Sequence, residues 1–318
     1  MSATLWGFVA ASVMCLTGCG ERPLTPREPT PGVFHFKIAT YNVFDQKAAD
    51  PKTVDAIGQL DADIIALQEV TPVAEPVIRA RYKERYPNML FYPSGSAGLG
   101  FLSTYPITDR GLTPGINGWH PAWHVWVSTP AGALEVLVVH LRAPQGRGVE
   151  NLQSIAAIAD DHRTEIATYS GKNTGEMPVV VLGDFNEGVD GAAVEYLEAR
   201  GFQNALPLYR PGQFTWRHKS VGGQFTQTID HILFDGHMAS LNAYVKTIGA
   251  SDHLPVIAHL EVAKPWKQLA SSPLIRDTER GVQAPVVVFE VLPTGLDLAA
   301  QGKPVPYPYA ETDGSAER

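Results

Sequence analysis

Along this chain, apolar runs of strand length are repeatedly closed by a polar residue able to do chemistry. Ile38-Ala39-Thr40-Tyr41 ends in Asn42, and Ile64-Ile65-Ala66-Leu67-Gln68 ends in Glu69. Leu134-Glu135-Val136-Leu137-Val138-Val139 ends in His140, and Val179-Val180-Val181-Leu182-Gly183 ends in Asp184, with Asn186 close behind. Asp230 sits in Thr228-Ile229-Asp230-His231-Ile232-Leu233, and Asp252-His253 precede Leu254-Pro255-Val256. Several runs are apolar without alternation, the pattern of strands covered on both faces. Residues 37–41, 63–67, 134–139 and 179–182 read as strands. Residues 52–60, 76–86, 150–169 and 192–200 carry apolar side chains at helical spacing. Pro76 suits a first helical position, and Asp190-Gly191 suits entry into the last of these helices. The two halves repeat a coarse order of strand, helix, strand, helix and short strands. An α/β fold follows, and in such folds strand ends converge on a crevice where ligands bind.

Carboxylates gathered at one crevice repel one another unless something positive binds among them. Carboxylate and amide oxygens suit a hard divalent cation, Mg²⁺ or Mn²⁺. A cysteine-based zinc site is excluded from the body, because the cysteines are Cys15 and Cys19. The His120/His124 spacing spans Pro121 in a strand-like stretch, against a helix-borne zinc pair. Taken singly, Asn42 reads as a turn residue, Glu69 as a surface carboxylate, His140 as a core histidine and Asp230 as a cap. Their joint order carries the chemical argument.

Composition bounds the rest. With 318 residues, 44% hydrophobic and 18% charged, the chain has ample material for a large core. A net charge of −8 argues against gripping nucleic acid by charge alone. Residues 1–20 hold no charged side chain, and an apolar run of about twelve residues is too short to span a bilayer but suits a signal-peptide core. Leu16-Thr17-Gly18-Cys19 resembles the lipobox of bacterial lipoproteins, although no basic residue precedes it. The expected organisation is a signal peptide over 1–18, lipid on Cys19, a Pro-rich spacer over 19–33, a domain over 34–263 and a Pro-rich tail over 264–318. The expected location is the bacterial envelope, with a membrane surface as partner through Cys19.

In order, the chain carries Thr40-Tyr41-Asn42-Val43, Leu67-Gln68-Glu69-Val70, Gly100-Phe101-Leu102-Ser103-Thr104-Tyr105-Pro106-Ile107 and Val139-His140-Leu141. It continues with Leu182-Gly183-Asp184-Phe185-Asn186, Ile229-Asp230-His231-Ile232 and Ser251-Asp252-His253-Leu254-Pro255-Val256. These strings, spread from about Phe34 to Val262, resemble the endonuclease/exonuclease/phosphatase superfamily, which includes deoxyribonuclease-like enzymes. The resemblance implies a four-layer α/β/β/α sandwich of two packed mixed sheets with the site at one end. It further implies Glu69 and Asn42 as metal ligands, supported by Asp252. Asp184 would orient and deprotonate the attacking water, and Asn186 would fix that water or the phosphate. His253 would stabilise the phosphoryl oxygens or protonate the leaving oxygen, Asp230 would orient its ring, and His140 would contact the opposite phosphate oxygen.

Departures from the family pattern bear on substrate. Phe44 stands where the apurinic endonuclease branch has a second metal-site carboxylate. Glu150-Asn151-Leu152-Gln153 keeps the Gln of a family Arg-x-x-Gln and replaces its Arg, so Arg142 and Arg147 are candidates for the missing phosphate contact. Trp216-Arg217-His218-Lys219 is a basic run that could meet a phosphate or headgroup, or be a solvated loop. His120, Trp123, His124 and Trp126 read as a strand with alternating faces, or as a wall of the substrate groove. The expected function is a divalent-metal-dependent hydrolase of phosphate esters, phosphodiesters favoured, with DNA among the candidate substrates. The alternatives are a phosphatase of small esters, a sphingomyelinase-like lipid phosphodiesterase, for which no apolar hairpin is evident between the last two motifs, and an inactive binding lipoprotein. No protein partner is implied.

Overall fold

The fold is that of a computed structural model, which describes residues 22–116, 119–143, 152–171, 177–220 and 223–263. The leader, Cys19, Arg147 and the tail from 264 onward lie outside the described residues. Strand β1 (His35–Asn42) passes through helix α1 (Pro51–Gln59) into β2 (Ile64–Gln68), which lies parallel to it. Asp50 caps α1 by accepting the Lys52 N–H at 2.9 Å, and Pro51 occupies the first turn, where its missing donor costs nothing. Helix α2 (Ala74–Tyr82) leads to β3 (Asn88–Tyr92) and β4 (Leu99–Ser103). It starts before Pro76 because Thr71 Oγ1 accepts the Ala74 N–H at 3.1 Å, so the proline sits inside the first turn rather than opening it.

The second half repeats this plan. After β5 (Ile107–Thr113) and β6 (Ala122–Thr129), β7 (Gly132–His140) crosses through α3 (Leu152–Ser170) into the parallel β8 (Val179–Asp184). Then follow α4 (Ala192–Glu198), β9 (Gln203–Asn204), α5 (Ala205–Tyr209), the hairpin β10 (Trp216–Ser220) and β11 (Gly223–Gln227), β12 (Asp230–Phe234), β13 (Met238–Val245) and β14 (Val256–Val262). Hydrogen bonding orders the strands into two six-stranded sheets, β13-β14-β1-β2-β4-β3 and β5-β6-β7-β8-β12-β9. Both are mixed.

Between the sheets lies a core of Phe36, Ile38, Ile64 and Phe101 from one side against Trp123, Val136, Leu182 and Ile232 from the other. Alternate residues on the strands face outward, where Ala39, Ile65 and Leu67 pack on Ile57 of α1 and Ile78 of α2. On the second sheet Leu137, Val139 and Val181 pack on Ile166 of α3 and Leu197 of α4. The four layers are therefore α/β/β/α, as the sequence motifs imply. Trp123 is fully buried edge-on to Phe101, and its truncation to alanine would cost about 3–5 kcal/mol. Its neighbour His124 points the other way, bonded to Glu135 Oε1 at 2.8 Å and Thr113 Oγ1 at 3.2 Å. Trp123, His124 and Trp126 thus lie on a strand with alternating faces, and His120 precedes it.

Residues 22–33 have no regular structure but are docked on the domain. Leu24 N–H reaches Leu208 O at 2.7 Å and Arg27 N–H reaches Leu241 O at 3.0 Å. Glu261 accepts the Thr30 N–H at 2.9 Å and pairs with the Arg27 guanidinium.

Candidate active site

The polar row begins where the inter-sheet core stops. Side chains on a strand alternate, so every second residue shares a face. On β1, Phe36 and Ile38 face the other sheet, and Asn42 continues their phase. On β7, Leu134, Val136 and Val138 lead in phase to His140; on β8, Val180 and Leu182 lead to Asp184. On β12, which runs the other way, Phe234 and Ile232 lead back to Asp230. Register completes the alignment: Asp184 is paired with His140 on one side and with Asp230 on the other. Strand phase and register alone therefore bring these residues to one level at one end of the sandwich.

Glu69 is out of phase, because Ile64, Ala66 and Gln68 hold the inward positions of β2. It is re-aimed by the backbone, which turns left-handed there with φ 63°. Its Oε1 then accepts from Asn42 Nδ2 and its Oε2 from the Asp45 N–H, both at 2.9 Å. Asn186 also has positive φ, 51°, and donates Nδ2 to Leu141 O at 2.9 Å. Such conformations persist only where surrounding bonds hold them, and they concentrate at functional sites. Gly183 is dictated by the same crowding: with φ +147°, a Cβ there would lie 1.8 Å from Val139 O.

The side chains form one network across both sheets. Asn42 Nδ2 donates to Glu69 Oε1 and to Asp184 Oδ2, each at 2.9 Å. His140 Nε2 lies 3.6 Å from Asp184 Oδ2 and 4.0 Å from Glu69 Oε1. His253 Nε2 approaches Asp184 Oδ2 at 3.6 Å from the other side, while its Nδ1 meets Asp230 Oδ2 at 3.0 Å. Ser251 Oγ accepts the His253 N–H at 3.0 Å and donates to Asn42 O at 2.8 Å, tying the last motif to the first strand. Thr215, which the sequence reading missed, accepts the N–H groups of Ile229 and Asp230 at 3.0 Å; no local pattern marks it.

Asp230 and His253 are buried, and burial acts on their protonation. Burial works against a charged His253, but Asp230 and Asp184 outweigh it and carry the ring up to about 10. Burial likewise pushes Asp230 up, with His253 pulling it back. The pair therefore holds its proton at neutral pH. His120 stacks on His140 with ring centroids 4.1 Å apart, and burial, aided by His140, lowers its value to about 3. Its ring is neutral.

The structure thus brings together Asn42, Glu69, His140, Asp184, Asp230 and His253, with Asn186 bonded through its N–H to Asp184 Oδ1 at 2.9 Å. Asp252 stands at the edge: Oδ2 accepts from Trp216 Nε1 at 3.0 Å, and Oδ1 is buried with no partner among the described residues. Trp216 therefore spends its donor on Asp252 rather than on a phosphate. Arg142 is also not a free phosphate ligand. Its guanidinium is held by Asp161 at 2.6 Å and Glu165 at 3.2 Å on α3, and only 12% of its side chain is exposed. Its Nε and Nη1 serve those carboxylates and its Nη2 faces Ile116 O at 3.5 Å, so each side of the fork already has a protein partner.

For a cation, the tightest donor group is Asp184, Asp230 and His253, whose ligating atoms lie within 4.8 Å of one another. This is not the expected set of Asn42, Glu69 and Asp252. Asp230 and His253 already satisfy each other, which leaves Asp184 as the member of that group with capacity to spare. Glu69 and Asp184, two carboxylates that converge on the Asn42 amide, are hard-oxygen donors of the kind that suits Mg²⁺ or Mn²⁺.

A family model described as the endonuclease/exonuclease/phosphatase family matches residues 39–253. No curated protein sequence matches the chain. Among solved structures, it is similar to an endonuclease/exonuclease/phosphatase from Beutenbergia cavernae, with TM-score 0.54, 16% identity and 72% of each chain covered. It is also similar to truncated TDP2 of Caenorhabditis elegans, with TM-score 0.54, 14% identity and coverage of 72% of this chain and 98% of that one. The catalytic domain of human nocturnin, solved with a bound sulfate anion, aligns with TM-score 0.53, 15% identity and coverage of 72% and 94%. At these identities the structural likeness establishes the fold.

Proposed function

This chain belongs to the endonuclease/exonuclease/phosphatase family of phosphate-ester hydrolases, and from that premise we propose a divalent-metal-dependent phosphodiesterase of nuclease type, displayed in the bacterial envelope. The observation that carries the chemistry is the cross-sheet row of His140, Asp184, Asp230 and His253 meeting Asn42 and Glu69.

Each residue has a task its surroundings support. Asp184 Oδ2 sits between two imidazoles and is the acceptor for the proton of the attacking water. Protonated His253, oriented by Asp230, donates to a phosphoryl oxygen or to the departing oxygen. A raised value suits a donor rather than a base. His140 Nε2 donates from the opposite side, and Asn186 holds the loop after Asp184. Donors fixed before the reaction stabilise charge that develops only in the transition state. Mg²⁺ or Mn²⁺, held by Glu69 with Asp252 in support, would polarise the phosphoryl group and neutralise its developing charge; Asn42, expected as a ligand, instead spends its Oδ1 on the Phe44 N–H at 2.9 Å and positions Glu69 through Nδ2.

A polymeric or extended phosphodiester is favoured by the hairpin of β10 and β11. Its root pairs with the His253 segment, and Arg217 N–H bonds Asp252 O at 3.1 Å. Beyond the root, Trp216 stacks on His218, and Phe225, opposite His218 in register, is 60% exposed. Such an aromatic row offers stacking surface beside the reacting phosphate. Its neighbours Gln224, Thr226 and Arg217 are polar, which disfavours insertion into hydrocarbon. The envelope location rests on Cys19 and its lipobox-like context.

The test is turnover of a chromogenic phosphodiester by the wild type, Glu69→Gln and His253→Ala, with Mg²⁺ and with EDTA. Loss in both variants and with EDTA supports the reading; equal, EDTA-insensitive background in all three overturns it. Incorporation of labelled fatty acid that disappears in Cys19→Ala tests the anchor.

A further inference from the structure

At the end of β1 far from Asn42, two imidazoles meet across the seam between the first and last strands of the domain. The antiparallel register pairs His35 with Glu261 and Lys37 with His259, so His35 and His259 are diagonal neighbours on one face. Their Nδ1 and Nε2 atoms lie 2.9 Å apart, with ring centroids separated by 5.0 Å and planes inclined at 65°. The pair opens on a cleft shared with Lys37, Asp61, Asp63 and Tyr105.

We propose that His35 and His259 form a binding site for a divalent cation of the Ni²⁺ or Cu²⁺ class, which would clip β1 to β14. Two nitrogens each ~2.0–2.1 Å from a metal and at right angles around it lie about 2.9 Å apart, the spacing already present. Imidazole nitrogen suits these metals and not Mg²⁺, so the site differs in chemistry from the oxygen-rich end of the sandwich. The sheet register sets the spacing, so little ordering is left to pay when the metal arrives. Local charge permits a cation, because Lys37 Nζ is neutralised by Asp61 at 2.9 Å and Asp63 adds a carboxylate to the cleft. On binding, the N–H that bridges the two facing nitrogens must give way, its proton passing to the far nitrogen of that ring or to solvent.

The consequence is mechanical. A ligand that binds only the folded state stabilises it. Here it would do so at the junction where residues 22–33 enter the domain and residue 263 leaves it.

The experiment titrates the full chain with Ni²⁺ by calorimetry in saturating Mg²⁺, alongside His35→Ala, His259→Ala and, as a control, His237→Ala, whose ring pairs with Asp235 away from both sites. The expected result is one bound Ni²⁺ fewer in the first two variants and no change in the control. The Ni²⁺-induced rise in Tm is lost with it, and Mg²⁺-supported ester turnover is unchanged. His35 is exposed, so its substitution leaves the fold intact. Equal stoichiometry and equal Tm shifts in the wild type and His35→Ala would overturn the proposal, whatever the outcome for the hydrolase.

Discussion

Asn42 donates to Asp184 Oδ2 at 2.9 Å, although the residues stand 142 positions apart and belong to different sheets. The same nitrogen serves Glu69 Oε1 at 2.9 Å, so one neutral amide spans two carboxylates, one buried and one half-buried, that would otherwise face each other. This contact joins the two sheets at the level where the apolar core gives way to chemistry.

Replacing that amide by a third acid tests the cation directly. Asn42→Asp should lower Tm by several degrees without metal and recover much of it in Mg²⁺, since a cation offsets the added repulsion. Turnover should fall by at least about tenfold. Equal losses with and without Mg²⁺ would count against a metal held there.

Asp230 governs the charge of His253, and the pH profile should report it. With His253 carried up to about 10, activity that needs its proton declines only as pH rises toward that value. Asp230→Asn removes the nearest anion and should move the alkaline limb down by a unit or more, with turnover reduced roughly 10²–10⁴-fold. The stabilising effect of the raised histidine is complete below the unfolded value of ~6.5 and is lost as pH climbs through about 10. An unchanged limb in Asp230→Asn would remove His253 from the reaction.

Gly183→Ala should be severe for a steric reason alone. Its Cβ would meet Val139 O at 1.8 Å, and backbone cannot step aside within a sheet. The expected loss is ~3 kcal/mol or more. Gly188→Ala, with nothing within 4 Å of the new carbon, should be close to neutral by the same thermal melt.

Phe225→Ala separates the hairpin from the chemistry. Because the ring is 60% exposed, Tm should not change. KM for an oligonucleotide should rise several-fold, while turnover of a small chromogenic diester stays constant. A constant oligonucleotide KM would leave the hairpin without a substrate role.

Acid should loosen the docked segment over residues 22–33. Burial pushes Glu261 up, but the Thr30 N–H and Arg27 outweigh it and hold the carboxyl below its ordinary value. Its contribution is therefore present above the unfolded value of ~4.3 and is lost as pH falls through the lowered one. Limited proteolysis should cut this segment faster at low pH, and in Glu261→Gln at neutral pH; identical cleavage rates would refute the link.

Much of this was legible in the residues because a strand writes its burial directly into its text. The runs before Asn42, His140 and Asp184 announced doubly covered strands, and the polar residue after each marked where cover ended. Gly191 behaved as a helix start for local reasons. Pro76 misled by a few residues, because the Thr71 hydroxyl started the helix earlier than the proline suggested.

Other features had no local mark. Arg142 read as a free cation, yet its partners Asp161 and Glu165 arrive from a helix that only the βαβ crossover lays beside it. Trp216 read as a phosphate contact until the His253 segment brought Asp252 to its indole N–H. Glu69 stands in the wrong strand phase, and a left-handed backbone at that residue turned its carboxylate toward Asn42.

By itself, then, the sequence determined which strands are buried, where each one stops and which chemical groups wait at its end, because period and hydrophobicity act over a few neighbouring residues. Only the tertiary structure decided which of those groups share a proton, which arginine is already spent and which histidines face each other across a seam. Those outcomes depend on register and sheet packing, and therefore on distances between residues far apart in the chain.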